Sequence, residues 1–258
     1  MKEGCLKNVQ KGFCVLIFLG SVGSGIALPL QNGGAESGDE VPWESQRTFA
    51  VESQRESAGT VTPYNGSYFF SMATEQGSFS SLSQTNSLSL GTQWLFLDGA
   101  IQTENLDSDD FGTAILSVFD ATNALVASAT NTFLSSLSLI WNRFEVALEV
   151  PSNGVSWRVD LTGTLVYGSY VNVFYDDIKL YESRSSILQK PPMAIPEGGI
   201  ALEWFSGNSN LSYTVLCSTS LVKQVFAPAE PTNQWPISTT SWTNLSAPSA
   251  AFFKIEAE

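Results

Sequence analysis

The sequence predicts an all-β protein built on an antiparallel sandwich, with a second, smaller β domain behind it. Three observations carry this. Short β-type runs recur at 67–72, 94–103, 113–120, 125–129, 142–150, 155–162 and 170–180, separated by turn residues. No helical period of useful length follows residue 27. The composition is 43% hydrophobic and 12% aromatic but only 14% charged, with abundant Ser, Thr, Asn and Gly, the balance of an exported β protein.

The alternation is cleanest in Phe144, Val146, Leu148 and Val150, and again in Val155, Trp157, Val159 and Leu161. Strands of that kind pack one face and wet the other. Phe119-Asp120-Ala121-Thr122-Asn123-Ala124 reads as a hairpin turn, and Pro151-Ser152-Asn153-Gly154 breaks the next two runs. After Tyr181 the pattern stops, and Glu182 to Pro192 reads as a linker. The expected organisation is therefore a signal peptide over 1–27, a sandwich over 28–181, a linker over 182–197 and a small β module over 198–258.

Lys2, Lys7 and Lys11 precede the apolar run from Phe13 to Leu19, and the small residues Gly25-Ile26-Ala27 follow it. This is the layout of a secretory signal peptide, with cleavage expected after Ala27 and no membrane span left in the mature chain. The alternative is an uncleaved anchor, which Gly20, Gly23 and Gly25 disfavour. Cys5 and Cys14 leave with the peptide, so Cys217 stands alone and no intramolecular disulfide forms.

Acidic residues outnumber basic ones 25 to 12, a net charge of −13, so phosphate backbones are repelled and nucleic acid is not an expected partner. There is no histidine. That removes the usual general base, the Ser/His and Cys/His nucleophile pairs and the commonest transition-metal ligand. A non-catalytic protein is expected.

Three segments carry a resemblance: Asn32-Gly33-Gly34-Ala35-Glu36-Ser37-Gly38, Asn65-Gly66-Ser67-Tyr68, and Val173-Phe174-Tyr175-Asp176-Asp177-Ile178-Lys179-Leu180. Together they resemble the galactose-binding-like jelly-roll superfamily, which includes many carbohydrate-binding modules, over residues 32–181. Phe usually stands where this chain has Ala35. The resemblance implies a jelly-roll β-sandwich that binds polysaccharide or a surface glycan, and the signal peptide implies a secreted or cell-surface protein. The tail from Trp204 to Ile255 is similar to a small β module that ends many exported bacterial proteins.

The resemblance also brings the domain's first and last strands together, so Glu36, Asp176 and Asp177 would offer a structural calcium ion its hard oxygen ligands. The alternative is that the two aspartates end a strand at a bulge and stay solvated. Glu104, Asp107, Asp109 and Asp110 lack the glycine and terminal glutamate of a helix-loop-helix calcium loop and read as a solvated turn.

For sugar recognition, aromatic faces and planar polar groups must point away from the core. Alternation places Trp157 inside and Arg158 and Asp160 outside, while Tyr170, Asn172 and Phe174 share the outward side of the last strand. Arg158, Asp160, Asn172 and Tyr170 form the expected glycan site, provided the two strands are neighbours. Trp94 is expected in the core, with a cleft as the alternative; Trp141 and Trp204 are expected to be structural. Two further readings remain: an adhesive envelope protein without a sugar site, and a weak glycosidase using Glu145, Glu149 or Asp160.

Overall fold

A computed structural model describes residues 26–27, 30–46, 49–56, 59–75, 79–104, 111–134, 140–166, 170–190, 193–195, 199–218, 226–230, 234–244 and 252–257. The expected signal peptide, apart from Ile26 and Ala27, and the acidic turn at 105–110 lie outside them. The described residues form strands and turns without a regular α-helix, so among them no helix is long and apolar enough to cross a membrane.

The chain divides into two compact units, Ser24–Leu188 with Phe205–Gly207, and Gln189–Trp204 with Asn208–Glu258. In the larger one the strands are β1 (Ile26–Ala27), β2 (Glu44–Gln46), β3 (Phe49–Glu52), β4 (Arg55–Glu56), β5 (Thr60–Val61), β6 (Phe69–Glu75) and β7 (Phe79–Ser87). They continue with β8 (Trp94–Glu104), β9 (Phe111–Phe119), β10 (Leu125–Leu134), β11 (Asn142–Glu149), β12 (Ser156–Thr164) and β13 (Tyr170–Ser183). The front sheet runs β11-β8-β13-β6-β3 with β1 on β13, and the back sheet runs β10-β9-β12-β7-β2. From β6 to β13 the chain changes sheet at every connection except one, the β9–β10 hairpin. That is a jelly-roll β-sandwich, antiparallel throughout its two sheets.

The hairpin closes at Asp120, whose Oδ1 accepts the amides of Thr122 (2.9 Å) and Ala124 (3.0 Å) and the Thr122 hydroxyl (2.7 Å). Asn123 takes the left-handed conformation there, which Asn tolerates better than most residues.

The two sheets meet through side chains of one parity from each strand. Phe70, Met72, Leu95, Leu97, Ile101, Val173 and Tyr175 come from the front, and Leu82, Ala114, Leu116, Val118, Trp157, Val159 and Leu161 from the back. Val155 departs from the expectation: it precedes β12, is 44% exposed, and the inward parity begins only at Trp157. On β13 the register slips between Asp176 and Lys179, with Asp177 at φ +52°, so Val173 and Tyr175 face the core before the slip and Ile178 and Leu180 after it. A bulge re-aims every residue beyond it.

Tyr175 is fully buried, and its hydroxyl shares its one proton between the carbonyls of Thr162 (2.8 Å) and Thr113 (3.1 Å), tying the front sheet to two strands of the back. Burial pushes its phenol well above the usual range, so it stays protonated. Tyr175→Phe is expected to lower the unfolding free energy by about 1–2 kcal/mol in urea titrations, the cost of a buried hydrogen bond removed with its ring left in place.

The smaller unit follows β14 (Ile187–Gln189) and contains β15 (Met193–Ala194), β16 (Ile200–Ser206), β17 (Tyr213–Ser218), β18 (Ala227–Pro228), β19 (Ser241–Asn244) and β20 (Phe252–Ala257). There β16 pairs with β15 and β19, and β17 with β18 and β20. Trp204 packs edge-on against Tyr213 at 5.3 Å, a structural role as expected, and Trp242 bridges Trp235 and Phe253. Cys217 is free and half-buried, and burial raises its thiol, so it is a poor nucleophile.

Candidate functional site

Glu36, Asp176 and Asp177 do come near one another, through partners that are backbone amides, the Asn65 side-chain amide and a lysine. The carboxylate of Glu36 accepts the amides of Ser67 (2.9 Å) and Tyr68 (3.0 Å). Asp176 accepts Asn65 N–H on one oxygen (2.9 Å) and Asp177 N–H on the other (2.6 Å). Asp177 pairs with Lys179 Nζ at 2.7 Å. The 64–68 turn is thereby fastened both to the 32–38 segment and to the β13 bulge. Gly66 is at φ +73°, and a β-carbon on it would lie 2.3 Å from Glu36 Oε1, so this latch requires glycine there.

Burial is the largest influence on Asp176 and pushes its carboxyl up to about 6; the amide bonds oppose this and the charge of Asp177 adds to it. Among the described residues no group of three acidic, histidine or cysteine side chains converges to hold a metal ion. As arranged, these oxygens do not fit a calcium cage, because each carboxylate is already turned to its own protein donors.

Arg158 and Asp160 stand side by side on the outer face of the back sheet, joined by Arg158 Nε to Asp160 Oδ1 (2.8 Å) and Nη2 to the same oxygen (2.6 Å). Burial raises the Asp160 carboxyl and the Arg158 bond lowers it in part. The proviso for the four-residue glycan site is not met. β12 lies between β7 and β9 in the back sheet, whereas Asn172 and Tyr170 belong to β13, between β6 and β8 in the front sheet. Asn172 is moreover only 3% exposed. Phe174, expected on a wet face, is buried with Val61 and Phe69 beneath the β4–β5 region. The Tyr170 side chain lies outside what is described.

The candidate site lies on the outer face of the front sheet. Along β8 and β11 it carries Trp94, Phe96, Asp98, Arg143, Ala147 and Glu149, the parity opposite to the core residues Leu95, Leu97 and Leu148. At one end Trp141 donates Nε1 to Thr62 O (3.0 Å) and meets Tyr64 and Phe69 edge-on, a structural role as expected. Arg143 sets its Nη2 against both oxygens of buried Asp98 and lies 5.8 Å from the Tyr64 ring centre. Partial burial pulls the guanidinium down, but the bonds to Tyr64 and Asp98 outweigh it and hold Arg143 above its ordinary value.

The other end opens into a cleft of about 890 Å³. One wall is the turn from Leu88 to Gln93 leading into Trp94; the other is Glu149 and the Pro151–Gly154 turn. Trp94 is half-buried and stacks on Phe96 at 6.2 Å with the rings 15° apart, while Phe205 also stacks on Phe96 at 5.4 Å. A side chain at Gly207 would come within 2.2 Å of the Trp94 ring, so glycine is needed to let that ring lie where it does.

Beneath the first wall Glu182, 4% exposed, accepts Ser89 N–H (2.9 Å) and the Thr92 hydroxyl (2.7 Å). The second wall is tied by Val150 N–H to Gln93 O (2.8 Å) and by Leu88 N–H to Val155 O (2.9 Å). Both walls are therefore preorganised by the main chain. Leu90, at the tip, is 96% exposed. Trp94 does both: it packs against the buried cluster of Phe96, Leu188 and Phe205, and it lines the cleft, while Phe96 is the fully buried one of the pair. The signal available in the sequence was the parity of Leu95 and Leu97, which forces Trp94 to the opposite face.

A carboxylate pair for glycoside hydrolysis is not assembled among Glu145, Glu149 and Asp160. Asp160 is on the opposite sheet, and Glu145 and Glu149, four residues apart on one strand, are separated by about 13 Å against the 5–9.5 Å such pairs require. Asp98, opposite Glu145, has both oxygens taken by Arg143.

The chain matches no family model and no curated protein at a significant level. Among solved structures, the TmCBM61 module in complex with β-1,4-galactotriose is 16% identical over 60% of this chain and 97% of that one, with a TM-score of 0.46. The CBM22-1 xylan-binding domain from Paenibacillus barcinonensis Xyn10C is 10% identical over 65% and 99%, at 0.45. The enzymatically active domain of bacteriophage CBA120 tailspike protein 4 is 12% identical over 59% of this chain but only 21% of its own, at 0.46. The first two are carbohydrate-binding modules of β-sandwich fold.

Proposed function

We propose that the larger unit is a non-catalytic glycan-binding module of an exported protein and that polysaccharide seats in the cleft beside Trp94. One observation carries this: a half-buried indole forms part of a cleft whose polar side chains include the hydroxyls of Ser89 and Ser152, the amide of Gln93 and the carboxylate of Glu149. A pyranose presents an apolar face to a ring and hydroxyls to planar or hydroxylic partners, which is the pairing this cleft offers. Its volume falls in the range of ordinary ligand sites. Export is part of the reading and rests on Lys2, Lys7, Lys11 and the apolar run behind them.

The test is a glycan array with the purified full chain, followed by calorimetry on each hit. Trp94→Ala is expected to weaken binding about tenfold or more while the far-ultraviolet spectrum is retained, and Trp94→Phe to restore part of the affinity. An array without any reproducible glycan removes this reading and leaves the adhesive envelope role.

A further inference from the structure

The lining of the Trp94 cleft contains one ionisable side chain, Glu149. It is exposed and, among the described residues, takes no ion pair or hydrogen bond. In the β11–β8 register Glu149 lies directly opposite Trp94. Opposed residues of an antiparallel pair keep their β-carbons about 4.5–5.5 Å apart on the same face. An indole and a free carboxylate thus stand next to each other at the cleft wall.

The charged side chains behind the first wall are already engaged by the turn itself. Glu182 is spent on the Ser89–Thr92 turn from beneath. Arg184 is turned to the Leu90 carbonyl at 3.3 Å and is not part of the lining. The whole chain carries a net charge of −13.

We propose that this cleft selects glycans bearing protonated amino groups, with the sugar's apolar face on Trp94 and its ammonium against Glu149. An ammonium group is attracted both by the ring's negative face and by the carboxylate. A uronic acid would place its own carboxylate against Glu149 and against the field of the whole protein. A neutral sugar gains the stacking and hydrogen bonds alone. This inference rests on the glycan reading of the same cleft, so its test has to separate the two.

Calorimetry of the full chain would compare glucosamine oligomers with N-acetylglucosamine oligomers of equal length, and with uronic-acid oligomers, at mildly acid pH. Glucosamine oligomers are expected to bind about three- to tenfold more tightly than their acetylated counterparts and uronic-acid oligomers most weakly. Added salt should shrink the difference, and Glu149→Gln, an exposed and isosteric change, should abolish it. If acetylated and free-amine oligomers bind equally, charge selection is overturned and the glycan reading stands. A preference that survives Glu149→Gln reflects the diffuse charge of the protein and overturns the assignment as well. If neither these oligomers nor any glycan on the array binds, the glycan reading itself fails and takes this inference with it.

Discussion

Asp176→Ala is expected to lower the unfolding free energy of the larger unit by about 2–4 kcal/mol at about pH 4, measured by urea titration. Asp176 is fully buried, and its two oxygens accept the amides of Asn65 and Asp177. Truncation leaves those donors without a partner in a place water does not reach, and each such loss typically costs about 1–3 kcal/mol. The damage spreads because the 64–68 turn is held at both ends, by Asp176 and Asp177 at Asn65 and by Glu36 at Ser67 and Tyr68. Releasing one end frees the other, so Asp176→Ala and Glu36→Ala together should cost less than the sum of the two single changes.

The same residue gives the latch a pH dependence of definite sign. Its carboxyl is raised to about 6 from a reference of 3.8, chiefly by burial, so the folded state holds that proton more tightly than the unfolded chain. Stability from this group is complete below about pH 4 and is lost as pH rises through about 6. The difference between wild type and Asp176→Ala should therefore narrow over that interval. A calcium ion held by Glu36, Asp176 and Asp177 would keep Asp176 ionised and make the difference grow instead, and chelation would then lower the melting temperature. Melting curves with calcium and with chelator, at both ends of the interval, distinguish the two.

The sandwich was legible because its strands announce themselves by parity. Phe144, Val146 and Leu148 are buried every second residue while Arg143, Glu145 and Glu149 are exposed, a pattern that only a half-buried strand produces. β7 is the counterexample. Its sequence FSSLSQTNS offers Leu82 as its one core aliphatic, yet it is an interior strand of the back sheet, between β12 and β2. Pairing on both edges and cover from larger neighbours let serines occupy a position that propensity would deny them.

The site was harder to read for a topological reason. Alternation tells which face a residue takes on its own strand but not which strands share a sheet. Arg158 and Asn172 both point away from the core, and they do so on opposite sides of the molecule. The cleft depends on two turns far apart in sequence, 88–93 and 149–155, whose meeting follows from the β8–β11 pairing at one end and the β7–β12 pairing at the other. The bulge at Asp176 adds a shift of parity that no strict period anticipates, although two adjacent aspartates at the end of an apolar run were its trace in the sequence.

The packing of the sandwich centres on Trp157, and substitutions there should separate volume from polarity. Its side chain is fully buried between the sheets, and its Nε1 has no hydrogen-bond acceptor. Trp157→Ala removes the largest side chain contributed by the back sheet and leaves a cavity that the neighbouring strands, pinned by their ladders, cannot collapse. The expected loss is about 3–5 kcal/mol. Trp157→Phe also creates a void, but it keeps an aromatic ring at the site and removes an unsatisfied donor whose burial itself costs about 1–3 kcal/mol. Those two effects oppose each other, so the phenylalanine variant should lose less than half as much as the alanine variant. Urea unfolding of both, with equal m-values as the check that the unfolded states match, measures the ratio. Should phenylalanine cost as much as alanine, the indole N–H is satisfied in solution by a buried water, and the stabilising element at the centre of this core is a hydrogen bond rather than the volume of the ring.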